Sequence, residues 1–466
     1  MLLSATALTA SAAAARADRV SVHYLLSGSL SVTDNEFAVP SDDGPEADVY
    51  LQIRPGILLT TEGARMMNEL LAQVELLEYA RHAGDPTYSA FGSWKGVFAP
   101  GPRTELTATA DGAIGKVTSI SASTPADSGV VEITPGGATT VEAADATETM
   151  RYEVTPELRI TQTAYARWAD TDDNASMPTT TSSVVGGVGM GLQRVFHHDT
   201  ISLDLAGEFW RLERLAPPGD LEGNHLEHQL NPRATLTWIH DLNREWSFNL
   251  QAGVEYVNPI GTDPYATAGA EADQPSKLYP IGSAVVAYSD SWGRASLRVG
   301  RSVAPDLYIA QNSITDSAVA TLSLPVAWLD ANKHAHDPKL ALVGTFGVDH
   351  SQLLDSDTGA SIGNFWVGHA DVGLLWARTQ SQTFGLRYQF VYQRGNADGD
   401  ATAVVDAVAP SFHMDTVFFT FAMRYPNDVL PRPLPVGQSF RADRSDTASP
   451  DAEQVVPEEA EPAGGP

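Results

Sequence analysis

Along most of the chain apolar and polar residues alternate with period two, the side-chain periodicity of a strand whose two faces meet different surroundings. From Trp246, the residues Phe248, Leu250, Ala252, Val254 and Tyr256 form one face, and Ser247, Asn249, Gln251, Gly253 and Glu255 the other. Thr383 to Gln393 repeats the pattern, with Phe384, Leu386, Tyr388, Phe390 and Tyr392 opposed to Gly385, Arg387, Gln389, Val391 and Gln393. Leu158, Ile160, Ala164 and Trp168 oppose Arg159, Thr161, Thr163 and Arg167; Ala234, Leu236 and Trp238 oppose Arg233, Thr235 and Thr237. Ala295, Leu297 and Val299 oppose Arg294, Ser296 and Arg298, and Val417, Phe419, Phe421, Met423 and Tyr425 close the series. A helix would scatter each set over both of its faces. Arg65 to His82 is the most ambiguous segment, because Met66, Met67, Leu70, Leu71, Val74, Leu76 and Leu77 also suit a helix. It is read as a strand because another alternating segment begins at Arg103.

The connections alternate too. Thr155-Pro156-Glu157, Asp241 to Arg244, Asp290 to Gly293 and Thr379 to Gln382 are short links. Asp170 to Thr180, Pro217 to Glu227, Asn258 to Ser276, Ser351 to Gly363 and Asn396 to Pro410 are long polar segments, and Thr118 to Thr147 is the longest. Short turn, strand, long loop, strand is the layout of a membrane barrel, and counting this way predicts about eighteen strands between Val20 and Tyr425. The fold class expected is all-β: a single closed antiparallel transmembrane β-barrel whose even strand number brings both ends to the turn side. A soluble propeller would repeat at a fixed sequence period, and none is visible. Trp168, Trp246, Trp292, Trp328, Trp366, Trp376, Tyr256, Tyr388, Tyr392 and Tyr425 fall on the apolar face. Aromatic residues in that position anchor strands at the two headgroup levels. No uninterrupted apolar run reaches about 18 residues, so transmembrane helices are not expected.

Composition changes the picture in three ways. A length of 466 residues would ordinarily mean about three domains, but nothing breaks the pattern between Val20 and Tyr425, so one closed sheet is expected. The formal charge of 29 − 58 = −29 argues against a nucleic-acid partner. The absence of cysteine removes disulfide scaffolds, Cys-ligated zinc and thiol catalysis. Residues 1–17, an Ala-rich apolar stretch ending in Ala15-Arg16-Ala17, read as a secretory signal peptide. Residues 426–466 are rich in Pro, Ala, Glu and Asp and read as a disordered periplasmic tail.

With the hairpins Leu236 to Tyr256 and Leu374 to Tyr392 and the terminal strand Thr416 to Tyr425, the chain resembles the bacterial outer-membrane β-barrel proteins over roughly residues 18 to 425. The last strand is similar to the aromatic-ended signal read by the barrel-assembly machinery, although a tail of about forty residues follows it here. Size and strand number are similar to the large porins and, more loosely, to barrels that export polysaccharide. The resemblance implies residence in the outer membrane, with its lipid and lipopolysaccharide as partners. The leading expectation is a porin-like channel for passive diffusion of small polar or anionic solutes. The alternatives are a secretion barrel passing a polysaccharide, with a periplasmic partner at the C-terminal tail, and a plugged structural or surface barrel. An inward fold of Thr118 to Thr147 would bear on the choice.

A barrel of about eighteen strands is too wide for side chains alone to fill. The parity of the strands assigns Arg159, Arg167, Arg233, Arg294, Arg298, Arg387 and Arg424 to a pore lining, with Lys339 and the acids Asp204, Glu208, Glu255 and Asp371. Either these arginines make an anion-attracting field, or they pair with lumenal carboxylates and only satisfy buried charge. The loops carry acids, as in Asp34 to Asp48, in Asp170, Asp172 and Asp173, and in Asp349, Asp355 and Asp357. These either share divalent cations with lipopolysaccharide or form a solvated, repulsive surface. The run Gly186 to Gly191 lacks the Ser of a nucleophile elbow and the Lys of a phosphate loop, and reads as a strand making room for a close neighbour. His197-His198 and the set His334, His336 and Asp337 are placed at short turns, where exposed histidines without a metal are the commoner case. No catalytic set assembles, and neither an enzyme nor a cofactor is expected.

Overall fold

The computed structural model describes residues 19–35, 44–81, 87–117, 139–171, 180–215, 224–260, 276–290, 293–306, 311–326, 340–354, 361–379, 381–397 and 411–426. The eighteen strands are β1 (Arg19–Thr33), β2 (Asp48–Gly63), β3 (Met66–Tyr79), β4 (Thr87–Gly101), β5 (Thr104–Val117) and β6 (Thr139–Thr155). They continue as β7 (Leu158–Thr171), β8 (Thr180–Val195), β9 (Asp199–Leu215), β10 (His225–Asp241), β11 (Trp246–Val257) and β12 (Lys277–Asp290). The last are β13 (Gly293–Asp306), β14 (Gln311–Pro325), β15 (Leu340–Leu354), β16 (Ser361–Thr379), β17 (Gln382–Ala397) and β18 (Phe412–Tyr425). Each pairs antiparallel with its neighbours in sequence, and β1 pairs with both β2 and β18, Tyr24 lying opposite Tyr425. The sheet therefore has no open edge, as a chain surrounded by hydrocarbon requires.

The ambiguous segment after Arg65 is strand throughout, because its odd positions Met67, Leu71, Leu77 and Tyr79 face inward while Leu70, Val74 and Leu76 are exposed outside. Along all strands the exposed large apolar residues sit on the outer face: Leu203 and Leu205, Leu236 and Trp238, Leu250 and Val254, Leu386 and Tyr388, Phe419 and Met423. Trp246 and Tyr256 are 256 − 246 = 10 residues apart on β11, and Trp366 and Trp376 are 376 − 366 = 10 apart on β16. At about 3.3 Å per residue and a tilt of about 40°, ten residues rise about 25 Å, the height of an apolar membrane band between aromatic girdles. The lower girdle packs ring on ring, with Trp246 and Tyr288 centroids 4.8 Å apart and Trp376 and Phe384 5.6 Å apart. Trp292 and Trp328 lie outside the described residues.

Strands run from 12 to 19 residues, longer than a membrane crossing needs, and this corrects several expected loop bounds. β6 starts at Thr139 rather than after Thr147, β10 starts at His225, and β15 continues to Leu354. Polar residues in these stretches had the look of loop, but they belong to strand ends that stay paired beyond the membrane. After β14 the Val326 amide donates to the Leu340 carbonyl at 2.8 Å, and His334, His336 and Asp337 lie outside the described residues. The export signal, Lys339, residues 118–138 and the tail beyond Pro426 also lie outside the described residues.

Candidate functional site: the interior of the barrel

Eighteen strands spaced about 4.8 Å apart and tilted about 40° close a cylinder roughly 35 Å across between backbones. Its interior is uneven from end to end. Inward side chains near the loop ends are almost fully covered, among them Trp210, Leu212, Gln229, Asn231, Val367, Val391 and Phe412, each at 2 % exposure or less. Toward the turns most inward positions are only half-buried, for example Asn249, Ser289, Arg298 and Thr321.

Part of that covering comes from β13 and β14. Pairing between β12 and β13 stops at Gly282 and Arg301, whereas β13 and β14 remain paired up to Asp306 and Gln311. The detached hairpin end turns into the barrel. Val303 and Ile314, on the side that lower down carries the exposed Leu297 and Val299, pack with Val185, Trp210 and Val257 of the interior wall. Asn312 donates from Nδ2 to Glu227 Oε1 at 3.5 Å, joining β14 to β10 across three intervening strands. Glu227 itself begins a buried polar ladder, accepting from Gln229 Nε2 at 2.5 Å, while Asn231 Nδ2 donates to Gln229 at 2.9 Å.

Below this layer lies a cluster of charges. Arg233 Nη1 is 2.9 Å from Glu208 Oε1, and Trp210 Nε1 donates to Glu208 Oε2 at 3.0 Å. Glu255 stands directly across from Arg233 in the β10–β11 register and is 2 % exposed. Tyr165 and Arg167 line the adjoining wall, the guanidinium 5.7 Å from the Tyr165 ring centre, and Arg167 faces Asp145 across β6–β7. The glycine run on β8 explains this packing: a Cβ at Gly187 would stand 2.6 Å from two Tyr165 ring carbons. Glycine lets the ring lie flat on the strand.

Four of the remaining interior arginines meet a carboxylate. Arg387 makes a two-pronged pair with Asp371, Nε at 3.1 Å and Nη2 at 2.6 Å. Arg159 Nε lies 3.7 Å from Glu153, Arg151 3.9 Å from Glu105, and Arg54 is paired with Glu75. Asp204 faces inward on β9, hydrogen-bonded by Ser202 at 3.1 Å, and Arg424 is buried on β18 across from Leu25. Arg54, Glu75, Arg151, Glu105 and Asp145 escaped the sequence reading, although extending the alternation through Leu51, Ile53 and Ile57 would have placed Arg54 inside.

Arg294 and Arg298 differ. Among the described residues neither has an ion-pair or hydrogen-bond partner. Their cross-strand neighbours are Ser289 and Val285 on β12 and Ser323 and Val319 on β14. The inward positions of β12 from Ser283 to Ser289, of β13 from Arg294 to Gly300 and of β14 from Ser317 to Ser323 carry Arg294 and Arg298 but no Asp or Glu. An arginine pressed against a carboxylate is close to neutral a few ångströms away, whereas an unpaired one keeps its full charge. This stripe therefore keeps its positive charge, whereas the paired arginines contribute little to the field of the interior.

A closed antiparallel barrel with an apolar outer band of membrane height and a polar, charged interior defines the class: a transmembrane β-barrel of the bacterial outer-membrane kind. No protein-family model matches the sequence, and no curated protein matches it. Among solved structures, the outer-membrane protein OpdK of Pseudomonas aeruginosa is similar over 87 % of this chain and 99 % of its own, at 11 % identity and a TM-score of 0.45. OccK2 (OpdF) of the same organism, determined with glucuronate, covers 88 % and 99 % at 9 % identity and 0.43. OccAB3 of Acinetobacter baumannii covers 87 % and 99 % at 9 % identity and 0.41. Likeness at this level carries nothing about function, and the class rests on the chain's own sheet.

Proposed function

We propose that the protein is a porin-like channel of the outer membrane for passive diffusion of small anionic solutes. The observation that carries this reading is the stripe over β12 to β14, where Arg294 and Arg298 face the interior without a carboxylate among the described residues around them. Unpaired positive charge beside water raises the local concentration of anions and lowers that of cations, an effect that weakens as salt screens it over about 10 Å at 0.1 M. The paired arginines at 159, 233 and 387 hold the wall together instead, and the hairpin end at Val303 narrows the passage on the β8–β12 side.

Planar-bilayer recording of the refolded protein tests the proposal. The expected result is an open-channel current whose reversal potential in a salt gradient lies on the anion side, moved toward cations by Arg294→Glu and Arg298→Glu together. An anion preference untouched by that double change overturns it. A second reading, a plugged structural barrel, is supported by the nearly complete burial of Leu212, Val367, Val391 and Phe412 at the loop end. Absence of any current from properly folded protein would select it.

A further inference from the structure

The outer face of the barrel differs from one sector to another. On β5 to β7 its outward positions include Ala108, Gly112, Ala144, Ala146, Ala164 and Ala166, small residues that lie side by side in the register. Taller side chains flank them, Trp94 and Phe98 on β4 and Val188 and Met190 on β8, the last two 61 % and 65 % exposed. Packing within the chain does not call for the outward glycines of this sector. A Cβ at Gly92, Gly112 or Gly186 would meet no atom nearer than 3.7 Å, and one at Gly207 none within 4 Å. Gly187, on the inner side of β8, is by contrast fitted to a ring.

Two polar side chains stand in the middle of the sector. Glu148 faces outward between Ala108 of β5 and Ala164 of β7, and Gln162 faces outward across from Met150. Glu148 lies four residues above Tyr152, the turn-end aromatic residue of β6, and so about 10 Å into an apolar band about 25 Å high. Neither side chain has a hydrogen-bond or ion-pair partner among the described residues. The other charges at such depth on the described outer face, Arg301 and Asp316, hold each other through two contacts of 2.7 Å. Hydrocarbon gives a carboxylate no partner, whereas small residues let a second protein surface approach and polar side chains bond across the joint.

We propose that the outer face of β4 to β8 is the contact between two copies of this chain, related by a two-fold axis along the membrane normal. About that axis the Gln162 amide of each copy donates to the Glu148 carboxylate of the other, so both unpartnered groups are satisfied twice over. The heights agree. Leu158 directly follows its turn, yet its partner Arg194 still has Val195 and Phe196 before the next one, so the register climbs from strand to strand. One step from β6 to β7 rises about 3 Å and two residues back along β7 fall about 5 Å, which leaves Gln162 near the level of Glu148. Val188 and Met190 of one copy then rest on the glycine shelf of β4 and β5 in the other. A face low in its middle and tall at its sides also offsets the convexity of a cylinder. Five strands over the height of the band offer about 600 Å² per copy, or about 1,200 Å² in all, above the roughly 1,000 Å² that a specific association needs.

The contact does not depend on which solute the barrel passes, and its test is the state of assembly. Sedimentation of the full-length protein in a non-denaturing detergent should give a dimer. Gly112→Trp with Ala166→Trp should abolish it while the circular-dichroism spectrum stays that of a β-barrel, and Val348→Trp, on the outer face of β15 across the barrel, should leave it intact. Glu148→Leu with Gln162→Leu, which adds little bulk, should weaken association about tenfold. The protein has no native cysteine, so Gln162→Cys in outer membranes should be joined to a second copy by a short bis-maleimide, and Val348→Cys should not. A monomer at every protein concentration, or a dimer untouched by both double changes, overturns the proposal. So does a trimer, or equal cross-linking at the two positions. A monomer that retains a bound lipid, lost in Glu148→Leu, would give the face to lipid instead.

Discussion

Arg233 holds Glu208 at 2.9 Å across β9 and β10 while a second buried carboxylate, Glu255, faces it from β11. One cation thus serves two acids taken out of water on three consecutive strands. Removing one partner of a buried pair leaves an uncompensated charge, a loss that generally exceeds the net worth of the pair itself. Only the two acids are buried, and Arg233 is 40 % exposed, so with water screening the cation Arg233→Met should destabilise the folded barrel by about 1 kcal/mol, read as a lower denaturant midpoint of the protein in lipid. Adding Glu208→Gln and Glu255→Gln should recover much of that loss, and an unchanged midpoint in the single variant would show that the cluster is already relaxed by water.

The assignment of faces is tested on neighbouring residues of one strand. Leu250 is 48 % exposed on the outer side of β11, between the two girdle aromatics, and Gln251 faces inward. Leu250→Arg should cost about 2 to 4 kcal/mol in the bilayer-inserted state, while Gln251→Arg should leave stability nearly unchanged and shift ion preference. Similar costs for both would contradict the alternation.

At Gly187 a methyl group would collide with the Tyr165 ring. Overpacking of this kind costs about 1 to 3 kcal/mol, so Gly187→Ala should lower the denaturant midpoint. The cost should largely vanish in a Tyr165→Ala background, because the clash and its partner are then removed together. Additive losses would mean the ring does not rest on β8.

The contact of Val303 with Trp210 is the joint of the inward hairpin end. Val303→Asp puts a charge into an apolar contact and should release that end from the wall, since a buried unpaired charge is costly. A larger single-channel conductance is the expected outcome. A conductance equal to that of the unmodified protein would show that the hairpin end does not limit the passage.

Much of the architecture was legible because a two-residue period carries strand and face together. Phe248 against Asn249, and Leu236 against Thr235, show which side meets lipid before any partner strand is known. The charge pairing was not legible. Whether Arg387 is neutralised depends on Asp371 standing opposite it in register, and register is a property of two strands rather than of one. For the same reason Arg294 and Arg298 looked like Arg233 in the sequence, although only Arg233 has carboxylates on both neighbouring strands. The hairpin end was hidden differently: Val303 continues the outer parity of Leu297 and Val299, and only the loss of pairing with β12 at Gly282 turns it inside.

The seam where Tyr24 meets Tyr425 joins residues about four hundred positions apart. Nearly the whole chain must be in place before that contact can form, so closing it carries the largest loop entropy in the molecule. Once formed, it makes the ring of strands indifferent to which of them came first. A chain with residue 425 linked to residue 19 and new ends cut between Asp241 and Arg244 would meet the same neighbours in the same register. The order of synthesis would then be free to change while the finished cylinder stayed the same.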